Sequence, residues 1–182
     1  MDIKKLIEEL KVDEGVRLKA YTDTVGKRTV GVGRNYSDVP FSREECQAIF
    51  GTTSISFHNA DVFLSTKGLT MEQVEMLLKN DINRCIKNLE GKDFWEVVKD
   101  IEGPNRAIVN LCFNMGITTL LTFKNTLGFV KKKDWKNAAL NLTKSKWYTQ
   151  VGTRGPRVIK LVCPDFYDQP VTPAAASVKK KK

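Results

Sequence analysis

Histidine is almost absent from this chain of 182 residues; the single one is His58. The four cysteines, Cys46, Cys85, Cys112 and Cys163, stand far apart and form no Cys-x-x-Cys pair. Structural zinc sites draw on close Cys or His pairs, so no metal or cofactor is expected, and the thiols read as reduced and mostly buried. A Ser-His-Asp or Cys-His hydrolase would depend on His58 alone, and the polar stretch 52–59 around it reads as loop. Long apolar runs are missing too: none approaches the ~20 residues of a membrane helix. The first eleven residues mix Lys, Glu and Asp among apolar positions, unlike a secretory signal. These absences predict a soluble chain made in the cytoplasm. With 41% hydrophobic and 28% charged residues, the composition excludes global disorder and a fibrous repeat.

Charge is present in excess of one sign, and unevenly. Residues 1–90 hold 13 basic and 14 acidic side chains, whereas residues 91–182 hold 17 basic and 7 acidic. Between Lys124 and Lys160 ten basic residues face the single Asp134, and four lysines end the chain. Such a one-sided field attracts a polyanion: nucleic acid, anionic lipid or an acidic cell-wall polymer. Charge alone leaves solvated helix faces and a charged tail as an equal reading.

Ile3, Leu6, Ile7 and Leu10 recur at helical spacing and predict an amphipathic first helix ending near Asp13–Glu14, with Gly15 in a left-handed C′ position. Residues 18–32 combine turn and β-branched residues and predict a hairpin turning near residues 25–27. Residues 42–50 form a candidate short helix inside a segment, 36–67, that reads as an insertion. Thr70-Met-Glu-Gln73 is a capping box opening a long helix. Short helices follow: one starts with Pro104 at its first position, and others cover about 123–132, 135–142 and 157–163. The predicted organisation is α+β: a small N-terminal lobe over 1–70, a connecting helix over 71–90, a helical lobe over 91–168, and a flexible basic tail over 169–182. A cleft between lobes is the default site.

Two carboxylates stand out within that frame. Glu14 lies at the C-terminal end of a helix, where the negative dipole end and partial burial both disfavour a charged carboxylate and favour a proton donor. Asp23 lies in a polar, Thr-flanked hairpin whose backbone and hydroxyl donors keep it ionised. Glycoside hydrolysis requires two carboxylates driven towards different protonation states. Thr29, six residues beyond Asp23, is placed to face the same cleft and hold a water. By itself the pattern Glu-x8-Asp-x5-Thr is weak, and a capping Glu with a turn Asp explains it as well.

The pattern is not by itself. Asp13-Glu14-Gly15, then Arg17-Leu18-Lys19-x-Tyr21-x-Asp23-Thr24-x-Gly26 and Thr29-Val-Gly-Val-Gly33, resembles the catalytic segment of phage-type lysozymes. Asn110-Leu-Cys-Phe113-Asn-Met115-Gly116, Phe123-x-Asn125-x-Leu127, and the run from Asp134-Trp135 through Trp147-Tyr148 to Arg154 and Arg157 resemble the helical lobe of the same group, in the same order. The chain is similar to T-even phage lysozymes, within glycoside hydrolase family 24, over roughly residues 1–34 and 68–160.

The resemblance implies a two-lobe lysozyme fold and roles for individual residues. Glu14 matches the general acid, Asp23 the second carboxylate, and Thr29 the residue beside the attacking water. Relatives of this type invert the anomeric carbon, which implies carboxyls ~6.5–9.5 Å apart with room for that water. Arg154 matches an arginine that approaches the catalytic Glu; Phe113, Thr126 and Asn141 match saccharide-contacting positions, with Asn35 a weaker match. Arg34 stands where the T-even group has a His paired with an Asp of the connecting helix, and Asp81 stands at that Asp position, so an Arg–Asp pair is expected. Asn114 replaces a Gln, shortening a polar arm near the cleft. Without the resemblance, Arg154 and Arg157 read as surface charges. Trp135 and Trp147 read as core residues, and Phe113 serves packing and binding equally.

The implied function is hydrolysis of the β-1,4 bond between N-acetylmuramic acid and N-acetylglucosamine in bacterial peptidoglycan. The glycan strand is the partner, without nucleic acid or membrane insertion, and the protein acts as a monomer. The implied setting is host cell lysis, the enzyme collecting in the host cytoplasm and reaching the wall after membrane permeabilisation. A non-catalytic wall or structural module and a nucleic-acid binder are the alternatives. The intact Glu14, Asp23 and Thr29 argue against the first, and the lack of a helix-turn-helix or interleaved aromatic–basic motif against the second.

Overall fold

The structure, a computed structural model, describes residues 1–168; the predicted tail lies outside the described residues. Helix α1, Ile3–Glu14, opens on an Asp2 side chain that accepts from the Lys5 N–H, and buries Leu6, Ile7 and Leu10 on one face. Gly15 does not take the predicted left-handed helical conformation. Its φ of 74° and ψ of 167° combine positive φ with an extended ψ, a region open essentially to glycine alone. That geometry turns the chain out of α1 and straight into strand β1, Arg17–Thr22.

Strands β2, Arg28–Gly31, and β3, Arg34–Asn35, complete an antiparallel sheet in the order β1-β2-β3. Tyr21 pairs with Thr29, and Thr29 with Asn35, so the three stand in one row across the sheet, on one face. Val30 pairs with Arg34 on the next row, and both are buried on the other face.

The insertion contains two helices where one was expected. Helix α2, Arg43–Phe50, begins with a Ser42–Glu45 capping box. Helix α3, Phe57–Thr66, is capped by Ser56 and packs on β1. His58, read as a loop residue, lies in the first turn of α3; Ser56 supplies the cap that makes this polar stretch helical. Tyr36, Phe41, Phe50, Phe57 and Phe63 form a chain of ring contacts that ties the insertion together.

Helix α4, Met71–Leu89, starts at the predicted Thr70 capping box and packs along the helical body. Then follow α5, Asp93–Val98; α6, Pro104–Leu120, bent at Gly116; α7, Lys124–Lys131; and α8, Trp135–Thr143. The last are α9, Lys146–Gln150, and α10, Arg154–Val162, which begins three residues earlier than the sequence pattern indicates. Helix α6 is central: its residues 104–112 are all buried, and α1, α4, α5 and α10 pack on it. Fully burying a side chain such as Ile108 or Leu111 contributes about 1.5–3 kcal/mol. The fold is α+β, as expected. Among the described residues no single helix is long and apolar enough to cross a membrane.

Candidate active site

The turn between β1 and β2 builds one half of the site around a single residue, Lys27. The Lys27 N–H and the Val25 N–H both donate to Asp23 Oδ1, at 2.8 and 3.0 Å. The Lys27 carbonyl accepts from the buried Thr29 hydroxyl at 3.2 Å. Asp23 and Thr29 are thus indexed to each other through Lys27, with one Asp23 oxygen committed to the backbone.

Glu14, at the last position of α1, builds the other half. Arg154 Nη1 donates to its Oε1 at 2.7 Å. Its other side rests against Gly33, where a Cβ would stand 3.2 Å from Glu14 Oε2 and φ is +68°. A side chain at position 33 would be strained in itself and would press on the carboxyl. Tyr21 stands in the sheet row that carries Thr29 and Asn35. Burial first raises its phenol above the ordinary value; Arg17, 4.3 Å over the ring, opposes this, and the Glu14 and Asp23 carboxylates add to the rise.

Arg154 is buried, not a surface charge, and so deeply held that a network stands behind it. Its Nε donates to Asn110 Oδ1 at 2.9 Å, Asn110 Nδ2 donates to Asp13 Oδ2 at 2.8 Å, and Arg157 Nε donates to Asp13 Oδ1 at 2.9 Å. Its Nη2 is buried without a hydrogen-bond partner among the described residues. Asp13 and Asn110 have no role in the sequence reading beyond their motifs. The signal available was an Asp-Glu pair at one helix end matched by Arg154 and Arg157, three apart, on another helix.

Of the candidate saccharide contacts, Asn35 and Phe113 line one hollow of about 320 Å³ between β3, α4 and α6. Asn35 is held by a reciprocal pair of bonds with Asp38. Thr126 and Asn141 bond to each other at 2.7 Å between α7 and α8. Trp147 is buried and donates its indole N–H to Asn114 Oδ1 at 2.8 Å, while Trp135 packs half-buried against the core. Among the described residues no group of three His, Cys, Asp or Glu side chains is placed to hold a metal ion.

The expected Arg34–Asp81 pair is present, and it is larger than expected. Arg34 Nε donates to both Asp81 oxygens at 2.9 and 3.0 Å, and Nη2 to Oδ1 at 2.6 Å. The guanidinium also grips Glu45 of α2 bidentately, at 2.9 and 2.8 Å. Arg84 closes the cluster on Asp81 Oδ1 at 2.6 Å. Burial by itself pushes the Glu45 carboxyl up, but Arg34, Asn80 and the Ser42 N–H outweigh it and hold Glu45 at about 2.

Comparison with known proteins matches the phage lysozyme family to residues 11–161 of this chain. The chain belongs to that family. It is 28% identical over 163 residues to "Probable T4-type lysozyme 1" of Dictyostelium discoideum, covering 88% of this chain and 94% of that protein. "Probable T4-type lysozyme 2" of the same organism is 29% identical over 164 residues, covering 87% and 94%. The "Pre-baseplate central spike protein Gp5" of Enterobacteria phage T4 is 26% identical over 161 residues, 86% of this chain and 27% of the spike protein. The matched region spans Glu14, Asp23, Thr29 and Arg154. This phage lysozyme family member is a glycoside hydrolase of the lysozyme type.

Proposed function

We propose that this lysozyme cleaves the β-1,4 bond between N-acetylmuramic acid and N-acetylglucosamine in peptidoglycan, with inversion. The observation that carries the reading is a pair of held carboxyls on one sheet, Glu14 pinned by Arg154 against Gly33 and Asp23 pinned by the β1–β2 turn. Glu14 donates a proton to the leaving glycosidic oxygen. Asp23, through the oxygen its turn leaves uncommitted, takes the proton of a water that the Thr29 hydroxyl orients. Proton transfer of this kind contributes 10²–10⁴-fold, or about 3–5.5 kcal/mol of barrier. Arg154 is a positioning residue: the Asp13–Asn110–Arg157 network fixes its guanidinium, and the guanidinium fixes the acid. Asn35, Phe113, Thr126 and Asn141 contact the saccharide units. The enzyme acts as a monomer, in a host cytoplasm from which it reaches the wall after permeabilisation.

The test is the anomeric configuration of the first product, followed by NMR during lysis of a peptidoglycan suspension. An α product at early times supports water activation by Asp23. A β product overturns inversion, and no loss of turbidity overturns the hydrolase reading.

A further inference from the structure

The hollow lined by Asn35 and Phe113 does not end at the sheet. Arg84 stands on its wall and also on the wall of a second, open hollow of about 470 Å³. The second hollow lies between α2 and α4, bounded by Ser42, Glu44, Asn80, Asn83, Arg84 and Lys87. Its α2 side comes wholly from the insertion, and Glu45 on its wall is tied to Arg34 and through it to Asp81, both of which line the first hollow. The groove is therefore held by a buried, fully engaged ion cluster and not by the chance lie of a loop.

We propose that this groove is a subsite for the peptide branch of the peptidoglycan strand whose glycan lies in the adjoining hollow. The inference rests on the peptidoglycan reading above. Its chemistry argues for a peptide over a further sugar. Among the described residues no aromatic side chain lines the groove, so a pyranose ring has no flat apolar partner there. Asn83 offers an amide group that matches peptide N–H and C=O groups, and Asn80, whose Nδ2 donates one bond to Glu45 Oε1 at 2.9 Å, adds its carbonyl oxygen. Charges of both signs stand apart at the mouth: Lys87 on α4 and Glu44 on α2 are exposed, and neither makes an ion pair among the described residues. Arg34 and Arg84 are already matched by Glu45 and Asp81, so the groove is not a polyanion site. Carboxylates and an amino group along one short peptide satisfy this pattern; a neutral saccharide or a phosphodiester polymer does not.

The direct test is an NMR titration of the isotope-labelled full chain with free L-Ala–D-Glu–diamino acid–D-Ala tetrapeptide. Shifts of the Asn80 and Asn83 side-chain amides are expected, and their absence, with or without shifts elsewhere, overturns the subsite. A kinetic arm compares kcat/KM on peptide-bearing strands with that on the same strands stripped by an amidase. The ratio is expected to fall about three- to fivefold in Lys87→Glu, through KM, and to recover in part when Glu44→Lys is added. A ratio unchanged in Lys87→Glu also overturns the subsite. Failure of the wild type to cleave either substrate instead overturns the hydrolase reading, while the titration still decides the groove. Lys87 and Glu44 are exposed, and matched thermal unfolding confirms that each variant folds.

Discussion

Arg34 and Arg154, two of the three buried arginines among the described residues, each hold two carboxylates. Arg34 uses Nε, Nη1 and Nη2 on Glu45 and Asp81, whose side chains are only 5% and 6% exposed. Arg154 is as well buried, yet one of its nitrogens is unpartnered among the described residues, and the Glu14 it holds is 23% exposed. A fully satisfied buried ion cluster fixes structure, and an incompletely satisfied one calls for an explanation, of which strain kept for chemistry is one. The first cluster is a lock between β3, α2 and α4. The second holds Glu14, the proposed acid.

The difference is broken most directly at Glu14. Glu14→Gln keeps an oxygen for Arg154 but removes the transferable proton, so the lysis rate is expected to fall by a factor of ~10²–10⁴. Unfolding free energy is expected to move by less than about 1 kcal/mol. Turbidity loss and thermal unfolding of the same sample check both halves. Lysis near the wild-type rate, or a large loss of stability, would make Glu14 a structural carboxylate like those around Arg34.

Asp81→Asn is the converse. Removing one charge from a buried cluster leaves its partner undercompensated, at a cost of about 3–5 kcal/mol. Where the variant remains folded, its lysis rate is expected to drop far less than that of Glu14→Gln. Denaturant unfolding supplies the number. A cost below about 1 kcal/mol would place the Arg34 cluster among ordinary surface pairs.

Local chemistry explains which parts of this arrangement could be read from the sequence. The Thr70 capping box and the Arg34–Asp81 pair each depend on short-range pattern or on positions shared with the family, and both are present; the Glu14–Asp23–Thr29 spacing is of the same kind, with Asp23 and Thr29 joined to Lys27 in one turn. Glu45 escaped notice because its partner is set by how an insertion packs, although Ser42-x-x-Glu45 is itself a capping-box signature. Helix α3 is hard to read from sequence because His58, Asn59 and Asp61 break up its Phe57–Ala60–Leu64 stripe, of which only Ala60 and Leu64 are buried. The start of α10 was placed late because Gly155 and Pro156 read as breakers. In the first turn of a helix proline is well tolerated, and Gly155 there packs against the Tyr148 ring. Asn110 looked like one more polar residue on a buried helix until its two partners, Asp13 and Arg154, were brought to it from opposite ends of the chain.

The smallest effect expected is none at all, and it separates an arginine lock from a histidine one. Arg34 is held even further above its already high ordinary value: burial opposes this, and Glu45 and Asp81 overcome it. A raised cation contributes stability that is lost only as pH climbs past its folded value, far above neutrality. Glu45, held at about 2 against roughly 4.3 for a free glutamate, contributes stability that is complete above the free value and lost as pH falls through the folded one. Neither partner changes protonation between pH 5 and 8. The difference in unfolding free energy between wild type and Glu45→Gln is therefore expected to stay level over that range and to shrink only below about pH 4.3. A histidine in the place of Arg34 would instead lose its charge near pH 6.5 and let the pairing weaken across neutrality. Urea unfolding of both proteins at pH 3, 4, 5, 6, 7 and 8 decides the matter. A steady decline from pH 5 to 8 would mean that a group titrating near neutrality, and not the Arg34 guanidinium, governs the lock.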